Sequence, residues 1–303
     1  MPQFPLPLVR AALRPMYRLA LNPRLSYPVR QRLLELAAPI QTLPPGTVVQ
    51  HTTLAGRPAE RITVGATERR TAVLYLHGGA YTCGSPATHR SLAAHLAAAT
   101  ESAVYVLDYR LAPANPYPAA LEDAVAAYLE LITERGVDAA RTPIAGDSAG
   151  GFLTFAVAHE AVRLGIGRPA GTVALSPLTD LDPRGKLDHP NSHRCAVFPR
   201  RAVAVLPTLV ERAERLGGEG AEPVASPVDL DLSEMPPALI QTGSEEMTYV
   251  DAELMARRLQ LAGVSAELQV WEKQVHAFQA AAGVVPESSR AIAEIGRFVR
   301  ELR

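Results

Sequence analysis

Cysteine is almost missing from this 303-residue chain: there are two, beside a single tryptophan. Cys83 and Cys195 cannot build a disulfide framework and show no paired metal-ligand spacing, which excludes small disulfide-stapled and zinc-ribbon folds. Low cysteine use suits a reducing compartment. An excess of one charge is missing too. The 30 Lys and Arg stand against 31 Asp and Glu, a net charge of −1, so no global field favours a nucleic acid partner. No apolar run reaches the ~18 residues that a membrane-spanning helix needs. Prolines and arginines interrupt the N-terminal MPQFPLPLVRAALRPMYR, where a signal peptide would carry its apolar stretch. The expected location is the cytoplasm, with no stable membrane insertion. Internal repeats and low-complexity tracts are also absent.

What is present is apolar residue in quantity, 48% of the chain, enough for one large α/β domain with a lid or for two small domains. Val73-Leu74-Tyr75-Leu76 and Val104-Tyr105-Val106-Leu107 are continuous apolar runs, as strands covered on both faces should be. Val173-Ala174-Leu175 and Ala238-Leu239-Ile240 are further ones, whereas Ala266, Leu268 and Val270 alternate with polar residues, as nearer a sheet edge. Short strands near Val48–Thr53 and Glu60–Val64 precede them. Helical spacing fills about 86–99, 119–135, 149–164, 249–262 and 287–301. This alternation predicts an α/β fold with a mostly parallel central sheet flanked by helices. Residues 183–223 lack any strand pattern and carry helical spacing over 199–216 around Pro207. They read as the inserted part of a helical cap on a core of 45–182 and 224–303, with residues 1–44 as its N-terminal part. Within that part, Arg10, Arg14 and Arg18 line one face of an amphipathic helix, read as a lid helix with its charged face in water.

Gly146-Asp147-Ser148-Ala149-Gly150 is a G-x-S-x-G element, and Leu153, Val157, Ala161 and Leu164 follow it at helical spacing. A nucleophile on a tight strand-to-helix turn needs small neighbours and gains the positive end of the helix. The preceding strand is short and holds Pro143. His77-Gly78-Gly79-Ala80, directly after a strand, is an HGGG-type element. It would supply backbone N–H donors from Gly78 and Gly79, joined by Ala149, to an oxyanion. His77 itself fits loop bracing better than catalysis. A serine needs a base and the base needs an acid, in the chain order Ser, acid, His. Of the four later histidines, His159 lies too early, His189 and His193 fall in the cap, and His276 follows the strand at 266–271. The acid must come from Gly243-Ser244-Glu245-Glu246-Met247-Thr248-Tyr249-Val250-Asp251. Asp251 reads as part of the next helix, a surface or N-terminal helix charge. The residues alone do not separate Glu245 from Glu246.

Together HGGA, Asp108-Tyr109-Arg110-Leu111-Ala112-Pro113 and GDSAGG resemble the hormone-sensitive-lipase-like esterases of the α/β-hydrolase fold. The blocks at 118–124 and 176–180 extend the likeness, which runs from about residue 45 to the C-terminus apart from the lid. The resemblance implies Glu246 as the acid. It also implies a pocket under a helical cap, with Tyr81, Asp147, Phe198, Val205 and Leu206 as neighbours of the substrate. Ala80 replaces a third glycine. Ala114 stands where the family commonly has Glu, which leaves Arg110 to find another partner.

The expected function is therefore a serine carboxylesterase for small esters of short to medium chain, with catalytic Ser148, Glu246 and His276 and no metal or cofactor. Activity should fall in acid as the base becomes protonated. Amide, lactone or thioester hydrolysis by the same triad is the alternative, and a non-catalytic small-ligand receptor is a second. Oligomeric state is not readable, and a homodimer through an edge strand or C-terminal helix is compatible with the fold.

Overall fold

The computed structural model describes residues 25–37, 42–65, 71–198, 200–204, 206–217 and 224–302. The N-terminal basic helix around Arg10–Arg18 lies outside them. Eight strands form one sheet: β1 Thr47–Leu54, β2 Arg57–Val64, β3 Ala72–Leu76, β4 Ala103–Leu107, β5 Ile144–Asp147, β6 Thr172–Leu175, β7 Ala238–Gly243 and β8 Ala266–Trp271. Their order is β1-β2-β4-β3-β5-β6-β7-β8. The β1–β2 and β2–β4 pairs are antiparallel, and every later pair is parallel. The antiparallel start follows from the two-residue turn Ala55-Gly56, both left-handed (φ 48° and 73°), the geometry that matches strand twist in a tight hairpin.

The helices are α1 Tyr27–Ala37, α2 Pro86–Thr100, α3 Ala119–Thr133, α4 Ala149–Arg163, α5 Arg184–Asp188, α6 Asn191–Arg194, α7 Arg200–Ala204, α8 Leu206–Gly217, α9 Tyr249–Leu261 and α10 Pro286–Glu301. Successive strand residues point to opposite faces, and both faces are covered. Leu74, Leu76, Ile144 and Ile240 pack with Tyr128 of α3, Leu153 and Phe155 of α4 and Met255 of α9. Val73, Tyr75, Val173 and Leu239 pack on the other side with Leu92 and Leu96 of α2 and Ile292 and Ile295 of α10. That is why the central strands read as unbroken apolar runs. Pro143 does not weaken β5, because it stands just outside it. Its carbonyl accepts from Leu74 N–H at 3.2 Å, and Ile144 N–H opens the ladder to Gly171 O.

The segment 183–217 carries only short helices among its described residues. Pro207 is the second residue of α8, where a missing N–H breaks no helical bond. Lys186 of α5 fixes the segment to the core: its Nζ donates to Asp251 Oδ1 at 2.8 Å and Asp180 O at 2.6 Å. Asp251 stands in the first turn of α9, the N-terminal helix charge that is one expectation; the other, a surface charge, is corrected, since it is 1% exposed and ion-paired, with Oδ2 accepting from the N–H groups of Thr179 and Asp180. Asn191 adds a second tie, donating to the carbonyls of Ser244 and Glu246 at 2.9 Å each. Arg110 finds its partner in Asp123, to which its N–H and Nε both donate at 2.9 Å, and in Glu122 at 3.0 Å.

Candidate active site

The loops after β3, β5, β7 and β8 all leave the carboxyl ends of parallel strands, where open α/β sheets hold ligands. Ser148 stands between β5 and α4 with φ 55° and ψ −115°, a backbone region that non-glycine residues rarely occupy. Three bonds hold it there. Its N–H donates to Leu175 O at 2.9 Å, and its carbonyl accepts from Phe152 N–H (3.2 Å) and Leu178 N–H (3.1 Å). The close approach of α4 to β3 explains Gly150: a Cβ there would lie 1.9 Å from the Leu76 carbonyl oxygen.

Glu246 and His276 meet across two loops. His276 Nδ1 lies 2.7 Å from Glu246 Oε2, and both side chains are buried. Glu245 is half-exposed. Glu246 Oε1 accepts from Ser176 Oγ (2.8 Å), Thr242 Oγ1 (2.6 Å) and Gly243 N–H (2.5 Å), while Oε2 also accepts from Thr248 Oγ1 at 3.0 Å. Burial pushes this carboxyl up, but His276 and the hydroxyl and N–H donors outweigh it, and the pKa is held below the ordinary value. A carboxylate at Nδ1 places the ring proton there and leaves Nε2 as acceptor. That Nε2 is buried and has no hydrogen-bond partner among the described residues. The ring edge is covered by Phe198, centroids 4.6 Å apart at 74°.

The loop after β3 departs from expectation at one donor. Gly78 N–H is already committed, donating to Asp147 Oδ1 at 2.9 Å, so it cannot also face an oxyanion. The N–H groups of Gly79, Ala80 and Ala149 have no acceptor among the described residues. The same bond shows what the Asp147 carboxylate does: it is 4% exposed, holds this loop, and also accepts from Tyr75 OH at 2.7 Å. Burial raises the Asp147 pKa, yet His89 and these donors hold it down at about 2. His77 is fully buried and stacks on Tyr109 at 4.2 Å. Burial and the neighbouring His89 push it down to about 3, so it stays neutral as a loop brace.

Of the other pocket candidates, Tyr81 packs edge-on against Tyr117 and Phe152 at 6.2 and 6.0 Å, with its hydroxyl buried and unpartnered among the described residues. Phe198 touches His276, Leu206 opens α8 half-buried, and Val205 lies outside the described residues. His159 pairs with Glu160 on α4, His189 packs near Tyr249 with ring centroids 5.6 Å apart, and His193 lies in α6 with its Nε2 3.2 Å from Arg200 Nη1. No cluster of metal-ligating side chains occurs among the described residues. Sequence reasoning missed Ser176, Thr242 and Thr248 around Glu246, and Tyr75 and His89 around Asp147. Thr248 stands two residues from Glu246 and could have been suspected; the others carry no signal until the chain folds.

A family model described as the alpha/beta hydrolase fold matches residues 73–280. The carboxylesterase/phospholipase LipF of Mycobacterium tuberculosis is 39% identical over 231 residues, which cover 76% of this chain and 61% of LipF, so the chain spans less than two thirds of that relative. An acetyl-hydrolase of Streptomyces hygroscopicus is 39% identical over 263 residues, covering 85% of this chain and 83% of the relative. A crystal structure of an esterase from the bacterial hormone-sensitive lipase family superposes with a TM-score of 0.87 at 36% identity, covering 97% of each chain. The chain belongs to the α/β-hydrolase fold family, in its hormone-sensitive-lipase-like branch.

Proposed function

We propose that this chain is a serine carboxylesterase acting on small esters through an acyl-enzyme on Ser148. One observation carries the reading: His276 Nδ1 is engaged by Glu246 at 2.7 Å while its Nε2 stays buried and unpartnered among the described residues, at the carboxyl end of the sheet, where the strained Ser148 also stands. Ser148 Oγ attacks the ester carbonyl and its proton passes to His276 Nε2. The oxyanion is held by the N–H groups of Gly79 and Ala149, with Ala80 in the place expected of Gly78. The tetrahedral species expels the alcohol, which takes the proton from His276. Water, deprotonated by His276, then attacks the acyl group and releases the acid. Residues 1–44 and 183–223 serve as the cap. Phe198 reaches from the inserted segment onto the imidazole, and the acyl groups taken are of short to medium chain. Low cysteine content supports a cytoplasmic location, and no helix among the described residues is long and apolar enough to cross a membrane.

The test is Ser148→Ala with a panel of p-nitrophenyl esters of increasing acyl length, one amide and one lactone. Turnover should be highest on the short esters and should fall by about 10⁴ or more in the variant. Activity above about a tenth of the parent in Ser148→Ala would overturn the reading, and preference for the amide or lactone would reassign the bond.

A further inference from the structure

The loop that carries the proposed oxyanion donors is held by a buried cluster that takes no part in the proton relay. Asp147 is its hub. One oxygen, Oδ1, accepts from Gly78 N–H at 2.9 Å and Tyr75 OH at 2.7 Å, and lies 3.4 Å from His89 Nε2. Asp147 is also the residue before Ser148, so one carboxylate ties the nucleophile's own strand to the loop that must reach the oxyanion.

His89 is placed by α2. Ser85 caps that helix in a reciprocal pair with Thr88, which sets where the next side chain emerges. His89 Nδ1 then lies 2.9 Å from Thr88 Oγ1 and 3.3 Å from Ser85 O, leaving Nε2 aimed at Asp147. Among the described residues His89 is the one basic side chain within ion-pair reach of this carboxylate. Burial pulls the His89 pKa down, and Asp147 overrides it to a net rise. The neighbouring ring, His77, is 5.4 Å away and neutral.

We propose that His89 is a positioning residue for the oxyanion hole, orienting the Asp147 carboxylate so that Gly78 is pinned and the Gly79 N–H faces the reacting carbonyl. The inference rests on the reading of Ser148 and Gly79 given above. Without His89, Asp147 is a buried carboxylate short of a partner. It must turn or take up a proton, and either change loosens its hold on Gly78 N–H. Oxyanion donors act on charge that develops in the transition state, so the loss should fall on kcat and spare KM.

The experiment compares His89→Ala, His89→Gln and Tyr75→Phe with the parent enzyme on a water-soluble short-chain p-nitrophenyl ester. A trifluoromethyl ketone that adds to the serine as a tetrahedral oxyanion serves as a second probe. In His89→Ala, kcat should fall by roughly 10- to 100-fold, short of the loss of a whole donor, with KM within about threefold. Inhibition by the ketone should weaken in step with kcat/KM. His89→Gln, which keeps a neutral donor, should recover part of kcat, and Tyr75→Phe, which removes one hydroxyl, should lose about three- to tenfold. A kcat within twofold of the parent in His89→Ala, or a loss carried by KM with the ketone unaffected, overturns the proposal. If His89→Ala does not fold, parent-like kcat in both His89→Gln and Tyr75→Phe overturns it. Ser148→Ala separates the two readings: residual activity there defeats the esterase mechanism, whereas an inactive Ser148→Ala beside a fully active His89→Ala defeats only the role of His89.

Discussion

Glu246 spends both carboxylate oxygens inside the protein, one on three local donors and the other on His276 and Thr248. A carboxylate so anchored orients the imidazole and cannot drift to solvent. Replacing Glu246 with Ala should lower kcat by on the order of 10²–10⁴, while Glu245→Gln should leave it within about twofold; steady-state kinetics on one ester checks both. Asp147 makes a separate prediction in pH. Its folded pKa of about 2 lies below the ordinary value of 3.8, so its stabilising contribution is complete above about pH 4 and disappears as pH falls toward 2. The contribution amounts to about 2 kcal/mol. Urea unfolding of the parent and Asp147→Asn should therefore show a gap that narrows as pH falls from about 4 toward about 2. A gap that widened between about pH 4 and 2 would contradict the assignment.

At the scale of elements, the inserted segment is joined to the core by charge buried out of water. Lys186 and Asp251 are both essentially unexposed, and each is tolerable only because the other is present. Burial pushes Asp251 up to about 6 even with Lys186 beside it, which shows how strongly that site resists an unpaired carboxylate. Asp251→Ala should cost about 3–5 kcal/mol by stranding the lysine. Lys186→Met combined with Asp251→Ala should recover most of that, because an apolar side chain then fills the site. Chemical denaturation of the single and double variants measures the difference. If the double variant is no more stable than Asp251→Ala, the pair is not coupled as the geometry requires.

Across the whole molecule, β3 and β5 are neighbours in the sheet although about 70 residues separate them in the chain. Their adjacency brings the His77–Ala80 loop against the turn at Ser148, and no room remains for a side chain at Gly150. Gly150→Ala should force α4 off β3 and cost about 2–3 kcal/mol, with a larger loss of kcat than of thermal stability, because the strained serine rides on that contact. Melting temperature and kcat measured on the same preparation test it.

The alternation of strand and helix was legible in the residues because both sheet faces are covered, which writes unbroken apolar runs such as Val73–Leu76 into the chain. Ser148, His276 and the glycine pairs stood out as candidates because a tight turn, a nucleophile and a loop of backbone donors each demand particular residue types at short spacing. Which glutamate meets His276 was a different kind of question. Adjacent residues have the same local chemistry, and only the packing of β7, β8 and the Ser176 turn turns Glu246 inward and leaves Glu245 half-exposed. The same holds for the burial of Asp251: local pattern places it near a helix start, where it is, but only the inserted α5 brings the lysine that covers it. It holds again for Gly78, whose N–H is claimed by a side chain 69 residues away. Residue type and short spacing are local properties that a sequence carries in itself. The partner that satisfies a buried polar group comes from a distant segment, so it is decided only when the strands are laid in order.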